Sequence, residues 1–315
     1  MPNYEERSQE DLEDFEEIER ATLAEDLVEL TQSYTQDEDE DDEEEDPDDD
    51  EEVSVTVELP EMADLPAGDS KAWRFKSSEE EIVSLLKRGT FGGLKLVPWG
   101  SNYTFIAPIC DEQDGQEYAV IYKPARGEAP LWDFPSGTLY KREQAAYLVS
   151  RALEWNFIPP VVIRDGPHGV GTVQLFVDVD EQLQYYDFRD RHHIELKRIA
   201  VFDYITNNAD RKAGHCLLGT EGFIWGIDHG LCFNLDPKLR TVIWEFAGEP
   251  LPDEIYNDML ELATNGPRLH QLTGQLGKLL TQREVNTFLS RLERMLENPY
   301  FPSMNSRRQV PWGFF

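Results

Sequence analysis

The sequence predicts an α+β domain of two lobes behind an acidic, disordered N-terminal tail, and three observations predict it. Charge is split along the chain: residues 1–70 hold 31 of the 63 acidic residues and 2 of the 29 basic ones, so the net charge of −34 belongs mostly to that segment. Past it, the runs read in the order β-hairpin, helix, strands, then helices, without internal repeats. No apolar run approaches the ~18 residues that a membrane-spanning helix needs, so integral membrane association is not expected.

In the tail, "DEDEDDEEEDPDDDEE" (Asp37–Glu52) is acidic at every position but Pro47 and can bury almost nothing to offset the entropy of ordering it. Upstream, Leu12, Phe15, Ile18, Leu23, Leu27 and Leu30 recur at helical intervals. They fit a marginal acidic helix or a docking helix for a basic protein partner. Phosphates would be repelled by tail and body alike, which argues against a nucleic-acid partner. Cys110, Cys216 and Cys232 are odd in number and lack metal-ligand spacing, so an oxidising compartment is not indicated and a cytoplasmic location is expected.

"SSEEEIVSLLKRG" predicts a short helix capped by Ser77 or Ser78 and stopped by Gly89. "NYTFIAPI" and "EYAVIYKP" predict a hairpin across the Asp-Gly turn in "CDEQDGQ". Thr138–Trp155 carries a broad apolar stripe of helical period, and "PPVVIRDGPHGVGTVQLFVDV" reads as two strands about a Gly-Pro turn. "LKRIAVFDYITNN" predicts a core helix, Cys216–Leu218 and Phe223–Ile227 short strands around "GTEG", and residues 253–298 helices broken at "NGP".

Antiparallel pairing about residues 219–222 would bring Asp210 and Asp228 to neighbouring positions at the open end of that hairpin. Two carboxylates in a polar mouth invite a hard cation such as Mg²⁺; the alternative is that Asp210 pairs with Arg211 or Lys212 while Asp228 caps a turn. Lys123 ends a strand on the face of Ala119 and Ile121, either at an exposed rim or turned into a cleft toward an anion. Glu143 is a solvated helix residue if alone, and an ion-pair partner if the helix meets Lys123. Gly100, Ser101 and Asn102 precede a strand, where small residues let backbone N–H groups approach a phosphate. The ordered series of small-residue turn, strand lysine, helix glutamate, loop aspartate and post-hairpin aspartate is the set of parts used for phosphoryl transfer.

"NNADRKAGHCLL" with "GFIWGIDHGLCF" resembles the catalytic and metal-binding segments of the phosphatidylinositol 3- and 4-kinase superfamily, closest to the type II phosphatidylinositol 4-kinases. "YKPARGEAPLWDFPSGTLYKREQAAYLVSRAL", "DRKAGH" and "VPWGFF" are similar to an uncharacterised bacterial phosphatidylinositol-kinase-like family. The resemblance runs from Gly89 to Phe315. It implies a protein-kinase-like catalytic domain over residues 71–315, with an N-lobe at 78–177 and a C-lobe at 178–315. It implies that Lys123 binds the α/β-phosphates of ATP, Glu143 orients it, Asp210 serves the acceptor hydroxyl and Asp228 holds Mg²⁺ or Mn²⁺. Gly100, Ser101 and Asn102 would cover the phosphates, and Gln174, Phe176 and Val177 would belong to the hinge against adenine. Arg126, Glu128, Trp132 and Asp133 would shape the acceptor or nucleotide pocket.

His215 stands five residues after Asp210, where the kinase pattern has a metal-binding Asn. It is open as a Mn²⁺ ligand, as a bystander to a single-metal site, or as a structural hydrogen-bonding residue. The resemblance thus implies an ATP-dependent phosphotransferase acting on a hydroxyl of a protein, small molecule or lipid. A nucleotide-binding pseudokinase scaffold and an AMP-transferring enzyme share nearly all these residues. A mildly acidic body without a polybasic helix favours a protein or small-molecule acceptor over an anionic bilayer. Tail carboxylates tethered near Lys212, Arg211 and Arg126 suggest autoinhibition.

Overall fold

The computed structural model describes residues 77–97, 102–111, 115, 117–180 and 183–311. The acidic tail with its Leu12–Leu30 pattern, Gly100, Ser101 and the last four residues lie outside the described residues.

Helix α1 (Glu79–Arg88) starts at a reciprocal cap. Ser78 Oγ accepts from the Glu81 N–H, and Glu81 accepts from the Ser78 N–H, while three glutamates in the first turn complement the helix dipole. Strands β1 (Thr90–Phe91), β2 (Lys95–Leu96), β3 (Phe105–Cys110), β4 (Glu117–Pro124), β5 (Val161–Gly166) and β6 (Gly169–Leu175) form one antiparallel sheet in the order β1-β3-β4-β6-β5, with β2 also on β3. The predicted hairpin is β3–β4, in register from Phe105 opposite Tyr122 to Cys110 opposite Glu117. Along β4, Val120 and Tyr122 are fully buried on one face, which turns Ala119, Ile121 and Lys123 to the other. Lys123 pairs with Thr172 and Ile121 with Gln174, so those four side chains share a face.

Helix α2 (Leu139–Ala152) packs against β5 and β6 and carries buried Ala145, Ala146 and Val149 toward the core. The pattern predicted helix as far as Trp155, but the helix stops three residues earlier. Glu154 and Asn156 take left-handed backbone, φ 60° and 51°, and this swings Trp155 into the core, where its indole N–H donates to Asp258 Oδ2 at 2.9 Å.

The second lobe holds α3 (Tyr185–Phe188), α4 (His193–Thr206), the hairpin β7 (Cys216–Leu218) with β8 (Ile224–Gly226), and then α5 (Asp253–Thr264), α6 (Gly266–Leu276) and α7 (Gln282–Glu297). "NGP" divides α5 from α6, with Asn265 Oδ1 accepting the Arg268 N–H as a cap. A second break, not foreseen, falls at 277–281, where a Thr281–Glu284 capping box opens α7. Fully buried Phe202, Ile205, Ile255, Met259 and Phe288 knit these helices together. Each such side chain contributes roughly 1.5–3 kcal/mol on leaving water.

Helix α4 is buried on nearly every side, so the one carboxylate in its last turns needs a partner. Asp203, fully buried, receives Arg211 through Nε and Nη2 at 2.9 Å each, and Asn208 Nδ2 at 2.9 Å. Asn207 closes the helix in left-handed backbone, φ 57°. Its amide is pinned to the following segment: Nδ2 donates to the carbonyls of Asn234 and Asp236, and Oδ1 accepts the Lys238 N–H. Asp203→Ala strands the fully buried Arg211 charge. It should lower the unfolding free energy by about 3–5 kcal/mol in urea titration, since breaking a buried pair leaves its partner uncompensated.

Candidate active site

β4, α2 and the turn after β8 deliver three groups to one point. Lys123 Nζ lies 2.7 Å from Glu143 Oε1 and 3.0 Å from Asp228 Oδ1. Glu143 is buried, so the solvated-helix alternative does not hold. Its second oxygen accepts the backbone N–H of His229 at 3.1 Å, which ties α2 to the turn bearing Asp228. Burial works to discharge the Lys123 ammonium, but Asp228 and Glu143 outweigh it and raise its pKa above the ordinary lysine value. Lys123, followed by burial, draws the Asp228 pKa in opposite directions, and the lysine prevails, holding it well below the usual carboxylate range. Asp228 itself sits at φ 60°. A left-handed aspartate costs on the order of 1–3 kcal/mol, and such strain concentrates where a side chain must be aimed.

The loop after α4 supplies the second aspartate. The Asp210 N–H donates to Asn208 Oδ1 at 3.0 Å, and the Asp210 carboxylate pairs with Lys212 at 3.4 Å, as the alternative from spacing had it. Burial raises the Asp210 pKa to about 6, with Lys212 opposing and Asp228 reinforcing the shift.

Arg211 turns inward. Besides Asp203 it donates to the carbonyls of His215 and Ile227, at 3.2 and 3.0 Å, and meets His229 Nε2 at 2.6 Å. It therefore clamps the loop of Asp210 to the turn of Asp228. Sequence placed it among the basic groups open to the acidic tail; its guanidinium is instead fully buried.

His215 Nδ1 meets the Asp210 carbonyl at 2.9 Å and the Lys212 N–H at 3.4 Å. The shorter contact assigns the proton to Nδ1, so the Nε2 lone pair faces Asp228 Oδ2 at 3.3 Å. Burial lowers the His215 pKa to about 4, against the pull of Asp228, so the ring is neutral near pH 7. Two acceptors facing one another are a mutual repulsion that a divalent cation relieves, and a neutral imidazole beside an ionised carboxylate is a donor set that fits one. Among the described residues no group of three or more His, Cys, Asp or Glu gathers as a ready-made metal cage.

Of the residues expected to cover phosphates, Asn102 has its Oδ1 engaged by the Ala129 N–H at 2.7 Å. Gln174 and Val177 are buried at and beyond the end of β6, and Phe176 is half-buried with its N–H on the Ala119 carbonyl at 3.0 Å.

The loop between Lys123 and α2 takes a scaffold role that spacing did not reveal. Glu128 accepts the N–H groups of Leu139 and Tyr140 at 3.1 and 2.8 Å, capping the helix that carries Glu143. Asp133 pairs with Lys238 at 3.0 Å, Arg126 meets His168 at 2.5 Å, and Trp132 stands 90% exposed beneath the Lys238 ammonium. Asp203 and His229 were missed as well. Their signal lies in tertiary pairing, apart from the polar interruption that Asp203 makes in an otherwise apolar helix.

The model of the family "Phosphatidylinositol 3- and 4-kinase" matches residues 81–302. Protein Rv2133c of Mycobacterium tuberculosis is 37% identical over 270 residues, covering 74% of this chain and 95% of that protein. Phosphatidylinositol 4-kinase gamma 4 of Oryza sativa subsp. japonica is 29% identical over 135 residues, 36% of this chain and 24% of that protein. Among solved structures, the Golgi casein kinase aligns over 70% of this chain and 76% of its own, at 13% identity and a TM-score of 0.43. Among the described residues no helix is long and apolar enough to cross a membrane. By the family match over residues 81–302, the chain belongs to the phosphatidylinositol 3- and 4-kinase family.

Proposed function

We propose that the protein is an ATP-dependent phosphotransferase that moves the γ-phosphoryl group to a hydroxyl acceptor. The observation that carries this is the Lys123 ammonium held between Glu143 and Asp228 at 2.7 and 3.0 Å, with a second aspartate, Asp210, on the adjoining loop. A lysine fixed on two carboxylates is charged and aimed, ready to meet the α/β-phosphates. Asp210 accepts the acceptor's hydroxyl proton as the oxygen bonds to the γ-phosphorus and the bond to the β–γ bridging oxygen breaks, releasing ADP. Asp228 and His215 Nε2 would hold Mg²⁺ or Mn²⁺, whose charge would offset that of the phosphates. Glu143 keeps Lys123 in place, and Arg211 keeps the two aspartate-bearing segments together.

The donor set at His215 favours catalysis over a pseudokinase scaffold, because the imidazole is oriented as a ligand and not removed from the site. The acceptor is a protein or small-molecule hydroxyl, on the charge balance of the chain. ATP labelled separately at the α- and γ-phosphate tests the reaction class. γ-label on the product with free ADP is the expected outcome, α-label on the product indicates AMP transfer, and nucleotide binding without either label moving contradicts an enzyme. Lys123→Met should lower kcat/KM by about 10²-fold or more, and Asp210→Asn by about 10²–10⁴-fold.

For Asp210 the folded pKa of about 6 lies above that of a free carboxylate, so the base is ionised above that pH and protonated below it. The kcat/KM profile of the free enzyme should therefore rise through pH 6. Lys212→Met removes the cation that opposes the shift and should move this limb to higher pH; a limb unmoved by the substitution would assign it to another group. His215→Asn should shift metal preference from Mn²⁺ toward Mg²⁺, read as the ratio of rates with the two ions.

A further inference from the structure

We infer that a cavity in the second lobe binds a small phosphate monoester, with Arg294 on α7 as its anion partner. The cavity, of about 340 Å³, lies where α4, the end of α7 and the chain after it meet, and its walls include Tyr204, Arg294, Met295, Asn298, Phe301 and Ser303. That volume falls in the range of roughly 300–1,000 Å³ typical of small-molecule sites. None of these residues belongs to the candidate active site, so the inference stands apart from the proposed reaction.

The charge around the cavity decides the class of ligand. No acidic residue lines it, and among the described residues Arg294 meets no carboxylate. One turn earlier on the same helix, Arg291 is 7% exposed. The other buried arginines among the described residues, Arg142, Arg198 and Arg211, each meet a carboxylate, on Glu284, Glu254 and Asp203. Arg291 meets only the carbonyls of Asn234 and Leu235, through Nη2 at 2.5 and 3.4 Å, and its buried Nη1 has no partner. A buried guanidinium without a counter-charge bears the cost of leaving water uncompensated. Burial lowers its pKa to about 10, with Tyr204 opposing the shift and Arg294 adding to it, so two groups of the cavity wall already act on its charge. An anion seated at Arg294 therefore offsets two charges, one in contact and one a helical turn away.

Two guanidiniums match a dianion. A phosphate monoester carries about −1.5 to −2 charge at pH 7 and three acceptor oxygens, whereas a carboxylate brings one charge and two oxygens. Donors for those oxygens stand in the wall: the Arg294 fork, the Tyr204 and Ser303 hydroxyls and the Asn298 amide, none of them engaged elsewhere among the described residues. Met295 and Phe301, both buried, supply an apolar surface for the carbon body of the ester.

Calorimetric titration of the full chain with phenyl phosphate, benzoate and inorganic phosphate tests this in wild type, Arg294→Gln and Asn298→Asp. Phenyl phosphate should bind wild type about tenfold more tightly than benzoate, which lacks the second charge, and than inorganic phosphate, which lacks the ring. Arg294→Gln should weaken it by roughly ten- to hundredfold, the worth of a charge-assisted hydrogen bond. Asn298→Asp should weaken it too, by setting a carboxylate against the phosphate. Both positions are exposed, so both variants should fold. A Mn²⁺-bound ATP analogue should bind alongside phenyl phosphate without displacing it. Equal affinity of wild type and Arg294→Gln, displacement by the ATP analogue, or no binding of phenyl phosphate at millimolar concentration would overturn the site. Benzoate or inorganic phosphate binding as tightly as phenyl phosphate would overturn the monoester class. If Arg294→Gln does not fold, Asn298→Asp decides: unchanged affinity there overturns the inference.

Discussion

One ammonium group joins three parts of this fold that lie far apart in sequence. Lys123 at the end of β4, Glu143 on α2 and Asp228 after β8 carry between them two negative charges and one positive, within 3.0 Å contacts. Removing the lysine would leave a buried glutamate and an ionised aspartate facing each other, which no nearby hydrogen bond corrects in full. The pairing therefore positions α2 against the sheet as well as charging the cleft. Because Asp228 is half-exposed while Glu143 is buried, the open side of the triad is the aspartate side, where a cation and a phosphate could join it.

The second lobe contributes a frame for the two aspartates. Arg211 is buried with Asp203 and reaches three backbone or ring acceptors around it, so the loop of Asp210 and the turn of Asp228 are fastened through one guanidinium fork. That fork holds two carboxylates at short range in a place that disfavours charge. The raised pKa of Asp210 and the lowered pKa of Asp228 are two results of that crowding, one set chiefly by burial and the other by a neighbouring ammonium.

Much of this is legible in the chain because the candidate site residues sit at the ends of short elements whose periods are plain. "AVIYK" is a strand with its lysine on a definite face, and the Gly219–Gly222 turn closes the β7–β8 hairpin, with the loop of Asp210 before it and the turn of Asp228 after it at the open end. Glu143 could not be separated from a surface residue on helical period alone, since its burial comes from the docking of α2 on β5 and β6, which the helical period does not show. Arg211 shows the reverse error. Beside a solvent-facing Lys212 it looks like a second surface base, yet Asp203, eight residues earlier, draws it inside. The premature end of α2 was hidden for a similar reason: local helix preference through Trp155 yields to the burial of the indole against Asp258. Glu128 as a helix cap is visible only once strands and loops are placed.

We propose the Lys123–Glu143–Asp228 triad as the receptor for a metal-bound triphosphate. Electron paramagnetic resonance of Mn²⁺ tests it most directly, by titrating the ion into protein with and without a non-hydrolysable ATP analogue. Tight Mn²⁺ uptake that requires the nucleotide and disappears in Asp228→Asn is the expected result. Uptake that ignores the nucleotide, or that survives in Asp228→Asn, would contradict it.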